Sequence, residues 1–117
     1  MKYMTAASAV QLIESGDSIY IQGSTSIPEV LSQALADRGG ELRDVTVYAA
    51  FAVGRCEAPY CRPEYKDSFN VKSLFVANNV RRWLAEGYGS TIPAFLGEIP
   101  GLFRDGTLPL DAVFLNV

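Results

Sequence analysis

The 117-residue sequence predicts an α/β domain, a mostly parallel sheet covered by helices. Three observations lead there. Short β-branched or aromatic runs alternate along the chain with amphipathic segments of helical period. Gly, Pro and Asn punctuate the transitions between them. The composition, 49% apolar and 20% charged with a mean hydropathy of +0.12, is that of a globular chain and excludes a disordered tail. A single domain of this size can bury roughly two-thirds of its unfolded surface, enough for a core without metal or disulfide staples.

The elements follow in order. A first helix is expected from Thr5, with Ala6, Ala9, Val10 and Ile13 at i, i+3, i+4 and i+7, Thr5 as its cap and Gly16 at its end. Ser18 to Gln22 holds Ile19, Tyr20 and Ile21 in succession, a short buried strand. The polar loop Gly23-Ser24-Thr25-Ser26 leads into a second helix. There Ser26 and Glu29 have capping-box spacing and Pro28 suits the first turn. Ile27, Val30, Leu31 and Ala34 mark its inner face, and Gly39-Gly40 stops it. Val45 to Ala50 reads as the second strand, running on into Phe51, Ala52 and Val53. Arg55 to Asn70, with Pro59 and Pro63, reads as an irregular excursion with one turn at Pro63 to Lys66.

Ser73 to Val76 is expected to form the third strand. Asn78 or Asn79 caps a third helix that turns Val80, Trp83 and Leu84 inward and stops at Gly87. A short extended piece at Thr91 and Ile92 precedes a brief helix over Pro100 to Arg104, closed by Gly106. Ala112 to Val117 is strand-like. Crossovers between parallel strands are expected to be right-handed. A buried parallel strand at the last residue would leave the sheet without a following helix. It is either a natural edge or a cut, and we expect the cut.

Ten Lys and Arg against thirteen Asp and Glu give a net charge of −3, which argues against a nucleic-acid or anionic-membrane binder. The longest apolar run, Val47 to Val53, is far short of a membrane span, and the N-terminus has no signal-peptide pattern, so a cytoplasmic protein is expected. The absence of histidine removes His-based triads and nearly every common zinc catalytic site. Cys56 and Cys61 have no further Cys or His to complete a metal site. Free thiols in a reducing compartment are expected, with a local disulfide as the alternative.

The most informative loop is Gly23-Ser24-Thr25-Ser26. At a strand-to-helix junction, backbone N–H groups point into the crevice at the carboxyl end of the sheet, where they hold an anion or a developing oxyanion. Gly23 permits close approach, and three hydroxyls add donors. A plain capping turn is the alternative. Glu98, among Phe95, Leu96, Ile99 and Pro100, is either an acid in an apolar setting or a solvated carboxylate at a helix start. Asn78, Asn79, Arg81 and Arg82 read as a polar cluster for a phosphate or carboxylate, or as caps and a solvated helix face. No catalytic residue and no metal site emerges from spacing.

Over nearly its whole length the chain also resembles the N-terminal domain of the acetyl-CoA hydrolase/transferase family, which includes 4-hydroxybutyrate CoA-transferases. The resemblance runs through Ala6-Ala7-Ser8-Ala9-Val10, Ile13-Glu14-Ser15-Gly16-Asp17, the loop ending in Pro28, and Asp44-Val45-Thr46-Val47. It continues through Pro59-Tyr60, Pro63-Glu64-Tyr65, Asn79-Val80-Arg81 and Ala85-Glu86-Gly87. The densest block is Ile92-Pro93-Ala94-Phe95-Leu96-Gly97-Glu98-Ile99-Pro100, followed by Leu108-Pro109-Leu110-Asp111. The resemblance implies a single domain over residues 1–117, part of a longer protein whose catalytic C-terminal domain is absent from this chain.

It further implies ping-pong exchange of CoA between carboxylic acids through a nucleophilic glutamate of that second domain. The coenzyme A thioester is then a substrate and no cofactor is permanently bound. Acyl-CoA and a carboxylate are the partners of the complete enzyme, and a homo-oligomer is expected. Gly23, Ser24, Thr25 and Ser26 would line the acyl side of the crevice, where family members often carry more glycine. A reading from another class is a free-standing, non-enzymatic remnant of the fold that self-associates or binds another protein.

Overall fold

In the computed structural model, residues 1–50 and 58–117 are described. Five strands form one sheet: β1 (Ser18–Ile21), β2 (Val45–Ala49), β3 (Phe69–Ser73), β4 (Ser90–Thr91) and β5 (Ala112–Phe114). Every neighbouring pair is parallel and the order is β4-β3-β2-β1-β5. The helices are α1 (Ala6–Ala9), continued by a 3₁₀ turn over Val10–Leu12, then α2 (Glu29–Asp37), α3 (Asn78–Ala85) and α4 (Ile99–Arg104). The expected parallel α/β class is the observed one.

Alternation along the strands divides the side chains between two faces. One face presents Ile19, Ile21, Val45, Val47, Ala49, Phe69 and Val71, packed with Val10 and Ile13, with Leu35 and Ala36 of α2, and with Val80 of α3. The other carries Tyr20 and Tyr48, which pack with Leu74, Leu108 and the α4 residues Ile99, Leu102 and Phe103. The Phe103 ring meets Tyr20 and Tyr48 edge-on, at centroid distances of 5.8 and 5.3 Å. Such pairs favour edge contact because the positive ring edge faces a negative ring face.

Several expectations shift. The third strand lies upstream of Ser73–Val76: Phe69 pairs with Val45 and Ser73 with Ala49. Its burial alternates, with Asn70 exposed and Lys72 half-buried between buried Phe69, Val71 and Ser73. Leu74-Phe75-Val76 mimics a buried strand in composition, but Phe75 is 58% exposed. The excursion before β3 contains two 3₁₀ turns, Pro59–Cys61 and Pro63–Tyr65; the second coincides with the expected turn, and Tyr60 and Cys61 enter the core.

Thr5 does cap α1, its hydroxyl accepting from the Ser8 N–H, but α-helix gives way to 3₁₀ at Val10. Asn78 and Asn79 do not cap α3; Ala77 is the cap residue and Val80 is the side chain most deeply inward. The C-terminal strand is three residues long at a sheet edge, with Val113 and Leu115 about half exposed. The run Phe51 to Val53 and Cys56 lie outside the described residues.

Gly39 does more than end a helix. A Cβ there would lie 2.2 Å from the Tyr65 ring, so the close approach of this turn to the excursion requires glycine. Arg38 locks the same region. Its guanidinium donates to the carbonyls of Val10 and Ile13, the latter at 2.7 Å, and pairs with Glu41, tying the end of α2 to the turn after α1.

Candidate functional site

β1 is bonded on one side to β2 and on the other to β5. The chain runs from β1 through β2, β3 and β4 in one direction, then returns to the opposite side of β1. The carboxyl ends of β1 and β5 therefore form a topological switch point, where adjacent connections diverge and leave a crevice. The loop Gly23 to Ser26 leaves β1 at this point. The two strand ends are tied together: the Gln22 N–H donates to the Phe114 carbonyl at 3.0 Å, and its Oε1 accepts from the Asn116 N–H at 2.8 Å.

A cleft of about 410 Å³ opens there. Thr25, Ile27, Pro28, Glu29, Val30 and Leu31 wall one side and Leu115 and Asn116 the other. Of the four expected site residues, Thr25 lines this cleft; Gly23, Ser24 and Ser26 are half-buried in the connecting loop. Ser24 has φ +63°, the left-handed conformation that favours glycine. The backbone thus takes a glycine-like path where the sequence carries serine.

The capping box expected at Ser26 and Glu29 does not form. Pro28 is the cap residue of α2, without a side-chain cap bond. Val30, expected to face inward, is 74% exposed at the cleft, while Ser32, Leu35 and Ala36 take the buried positions. The helix starts at Glu29, later than capping-box spacing places it, which rotates the inward set along the chain. Leu115 and Asn116 were absent from the sequence-derived site. No local signal marks them, because their role arises from strand order.

The other candidates resolve differently. Glu98 is exposed and its carboxylate accepts from the Phe95 N–H at 3.0 Å, the solvated helix-start arrangement. Arg82 pairs with Glu86 at 3.2 Å and lies 4.6 Å from the Trp83 ring centroid; with exposed Asn78 and Arg81 it makes a solvated helix face. Asn79 differs, its Oδ1 being buried without a hydrogen-bond partner among the described residues. Cys61 is a free, buried thiol whose Sγ donates to the Tyr88 carbonyl at 3.6 Å, and burial pushes its pKa up to about 11. It is inert as a nucleophile at neutral pH. Among the described residues, no group of three or more His, Cys, Asp or Glu is placed to hold a metal ion.

The family model described as the acetyl-CoA hydrolase/transferase N-terminal domain matches residues 1–116. The chain belongs to this family. It is 30% identical over 107 residues to a succinyl-CoA:acetate/propanoyl-CoA:succinate CoA transferase of Fasciola hepatica, covering 90% of this chain and 22% of that protein. It is 27% identical to a butyryl-CoA:acetate CoA-transferase of Anaerostipes caccae, covering 99% of this chain and 26% of that one. The same identity and coverage of this chain hold for a 4-hydroxybutyrate coenzyme A transferase of Clostridium kluyveri, of which 27% is covered. The chain thus spans about a quarter of the length of these relatives. The crystal structure of RipA from Yersinia pestis shares the fold, with a TM-score of 0.81 at 24% identity over 96% of this chain and 28% of RipA.

Proposed function

We propose that this chain is the N-terminal domain of an acyl-CoA:carboxylate CoA-transferase or acetyl-CoA hydrolase and forms the acyl side of its active-site crevice. The observation that carries the reading is the cleft at the switch point, walled by Thr25 and the start of α2 on one side and the end of β5 on the other. In open α/β sheets this is where ligands bind. Its walls combine apolar side chains with the polar groups of Thr25, Glu29 and Asn116, which could orient a small molecule.

In the proposed reaction a glutamate carboxylate attacks the thioester carbonyl and CoA leaves as the thiolate. That thiolate then attacks the enzyme carboxyl carbon of the anhydride, releasing the first acid and leaving an enzyme–CoA thioester. A second carboxylate takes over by the reverse path. This chain would supply amide and hydroxyl donors of Gly23, Ser24, Thr25 and Ser26 to the developing oxyanion and the apolar wall beside it. The nucleophile belongs to the second domain, and no residue here is assigned that role. A carboxylate needs no general base to become nucleophilic. No helix among the described residues is long and apolar enough to cross a membrane. The exposed Val113 on the β5 edge supports self-association, which sedimentation at micromolar concentration would show as a dimer or larger species.

The decisive experiment titrates the isotope-labelled chain with butyryl-CoA and follows amide shifts. Shifts are expected at Thr25, Ile27, Leu115 and Asn116, and Gly23→Val should abolish them while circular dichroism stays unchanged. Unaltered shifts in that variant would place the site elsewhere. With butyryl-CoA and excess acetate, the chain alone should show no CoA exchange above the uncatalysed rate.

A further inference from the structure

A second cleft, of about 330 Å³, lies along the outer edge of the sheet. Its walls come from Lys66 and the β3 residues Phe69 to Lys72, and from the segment Gly87 to Ser90 that leads into β4. β4 pairs with β3 only at Lys72 and Ser73, so on the side away from β2 no strand lies beside Phe69 to Val71 and the edge opens into the cleft. Gly89 keeps the facing segment close: a Cβ there would lie 2.7 Å from the Leu84 side chain and 3.0 Å from the Val71 carbonyl oxygen. Gly87, at φ +87°, makes the turn that brings this segment back to the sheet.

The chemistry of the lining is distinctive. The whole chain has three lysines and a net charge of −3, yet two of the three lysines line this one cleft. Among the described residues neither Lys66 nor Lys72 forms an ion pair or a side-chain hydrogen bond. The lining holds no carboxylate; its other polar side chains are the amide of Asn70 and the hydroxyls of Tyr88 and Ser90, and Ser90 stands directly beside Lys72 in the sheet register. Lys72 is half-buried and Lys66 is exposed, and both line the cleft. An ammonium without a counter-charge in its cleft attracts an anion, most strongly at low ionic strength. Two ammoniums and several neutral donors lining one cleft match a group carrying two or more negative charges and several acceptor oxygens.

We propose that this cleft is an anion site that takes the phosphate or diphosphate group of a small molecule. It is separate from the switch-point crevice, since β2 and β1 lie between β3 and the β5 edge. The group could be carried by the nucleotide part of a CoA thioester or by a free nucleotide, and both present the same chemistry to Lys66 and Lys72.

The test uses pyrophosphate, ADP and CoA as probes in separate titrations of the labelled chain at low ionic strength. All three are expected to move the amides of Asn70, Lys72 and Ser90, with affinity falling as salt is added. CoA moving Gly23 to Ser26 in the same titration would identify the CoA thioester as the source, and ADP binding as tightly as CoA would identify a free nucleotide. Lys66→Gln and Lys72→Gln should each weaken pyrophosphate about fivefold, while Lys72→Arg retains affinity. Lys66 is exposed, so its variant tests the site without disturbing the fold. No shift with pyrophosphate up to about 10 mM, or equal affinity in wild type and both Gln variants, would overturn the proposal.

Discussion

On one face of the sheet Ile19, Val45, Val47 and Val71 are sealed under α1, α2 and α3, with exposures of 1% or less. On the other, Tyr20 and Tyr48 sit under the six-residue α4, and beyond them the surface turns polar at Asn70, Lys72 and Ser90. The first face is apolar throughout and its contribution is area removed from water. The second holds a helix by aromatic edges and leaves part of the sheet accessible, and the proposed anion cleft lies at that accessible end. A parallel sheet needs cover on both faces, but the cover need not be equally deep.

The contrast can be broken most directly at Leu35, which is fully buried under the first face. Leu35→Ala should cost about 3 kcal/mol through lost burial and the cavity left behind. Phe103→Ala, on the half-buried second face, should cost about half as much. Urea unfolding measures both, and equal losses would mean that the two faces are sealed alike. Hydrogen exchange sharpens the point: Phe103→Ala should deprotect α4 while β1 to β3 keep their protection.

A smaller effect appears in alkali. Cys61 packs in the first-face core, where burial holds its pKa at about 11 against an ordinary 9.0, and burial raises the Tyr60 hydroxyl as well. Above pH 9 the unfolded thiol loses its proton while the folded one keeps it. The folded state then binds more protons, so stability falls as pH rises from about 9 through 11. The melting temperature should decline over that range, and Cys61→Ala should flatten the lower part of the decline. An unchanged slope would mean that water reaches the thiol.

The smallest effect belongs to the switch-point loop between the two regions. Ser24→Gly relieves a left-handed φ but adds freedom to the unfolded chain, so a gain of about 0.5–1 kcal/mol is expected from thermal melting. A loss would show that the Ser24 side chain holds the loop.

Much of this molecule was readable residue by residue. Thr5 as a cap, the turns at Gly16, Gly87 and Gly106, and the strands at Ile19 and Val47 follow from spacing and backbone preference. β3 was displaced because an expectation of continuous apolar strands favours Leu74-Phe75-Val76 over the alternating Phe69-Asn70-Val71-Lys72-Ser73. That alternation marks a strand with one wet face, which a sequence cannot separate from loop without knowing what covers it. The misplaced cap at Ser26 has the same origin, since capping-box spacing occurs wherever small polar residues precede an acid.

The sequence by itself determined the α/β class, the class of most elements, and the loop at the head of α2. These depend on contacts between residues a few positions apart. The tertiary structure decided which strand lies beside β1, which face is deeply covered, and which distant residues share a cleft. The Asp111 carboxylate accepts from the Ser18 N–H at 2.8 Å across 93 residues, and the same closure brings Leu115 and Asn116 to Thr25. Lys72 likewise meets Ser90 only after β4 docks on β3, which places both in one cleft with Lys66. No local preference encodes such meetings, because they arise from summed burial over the whole sheet and must offset the entropy of closing long loops.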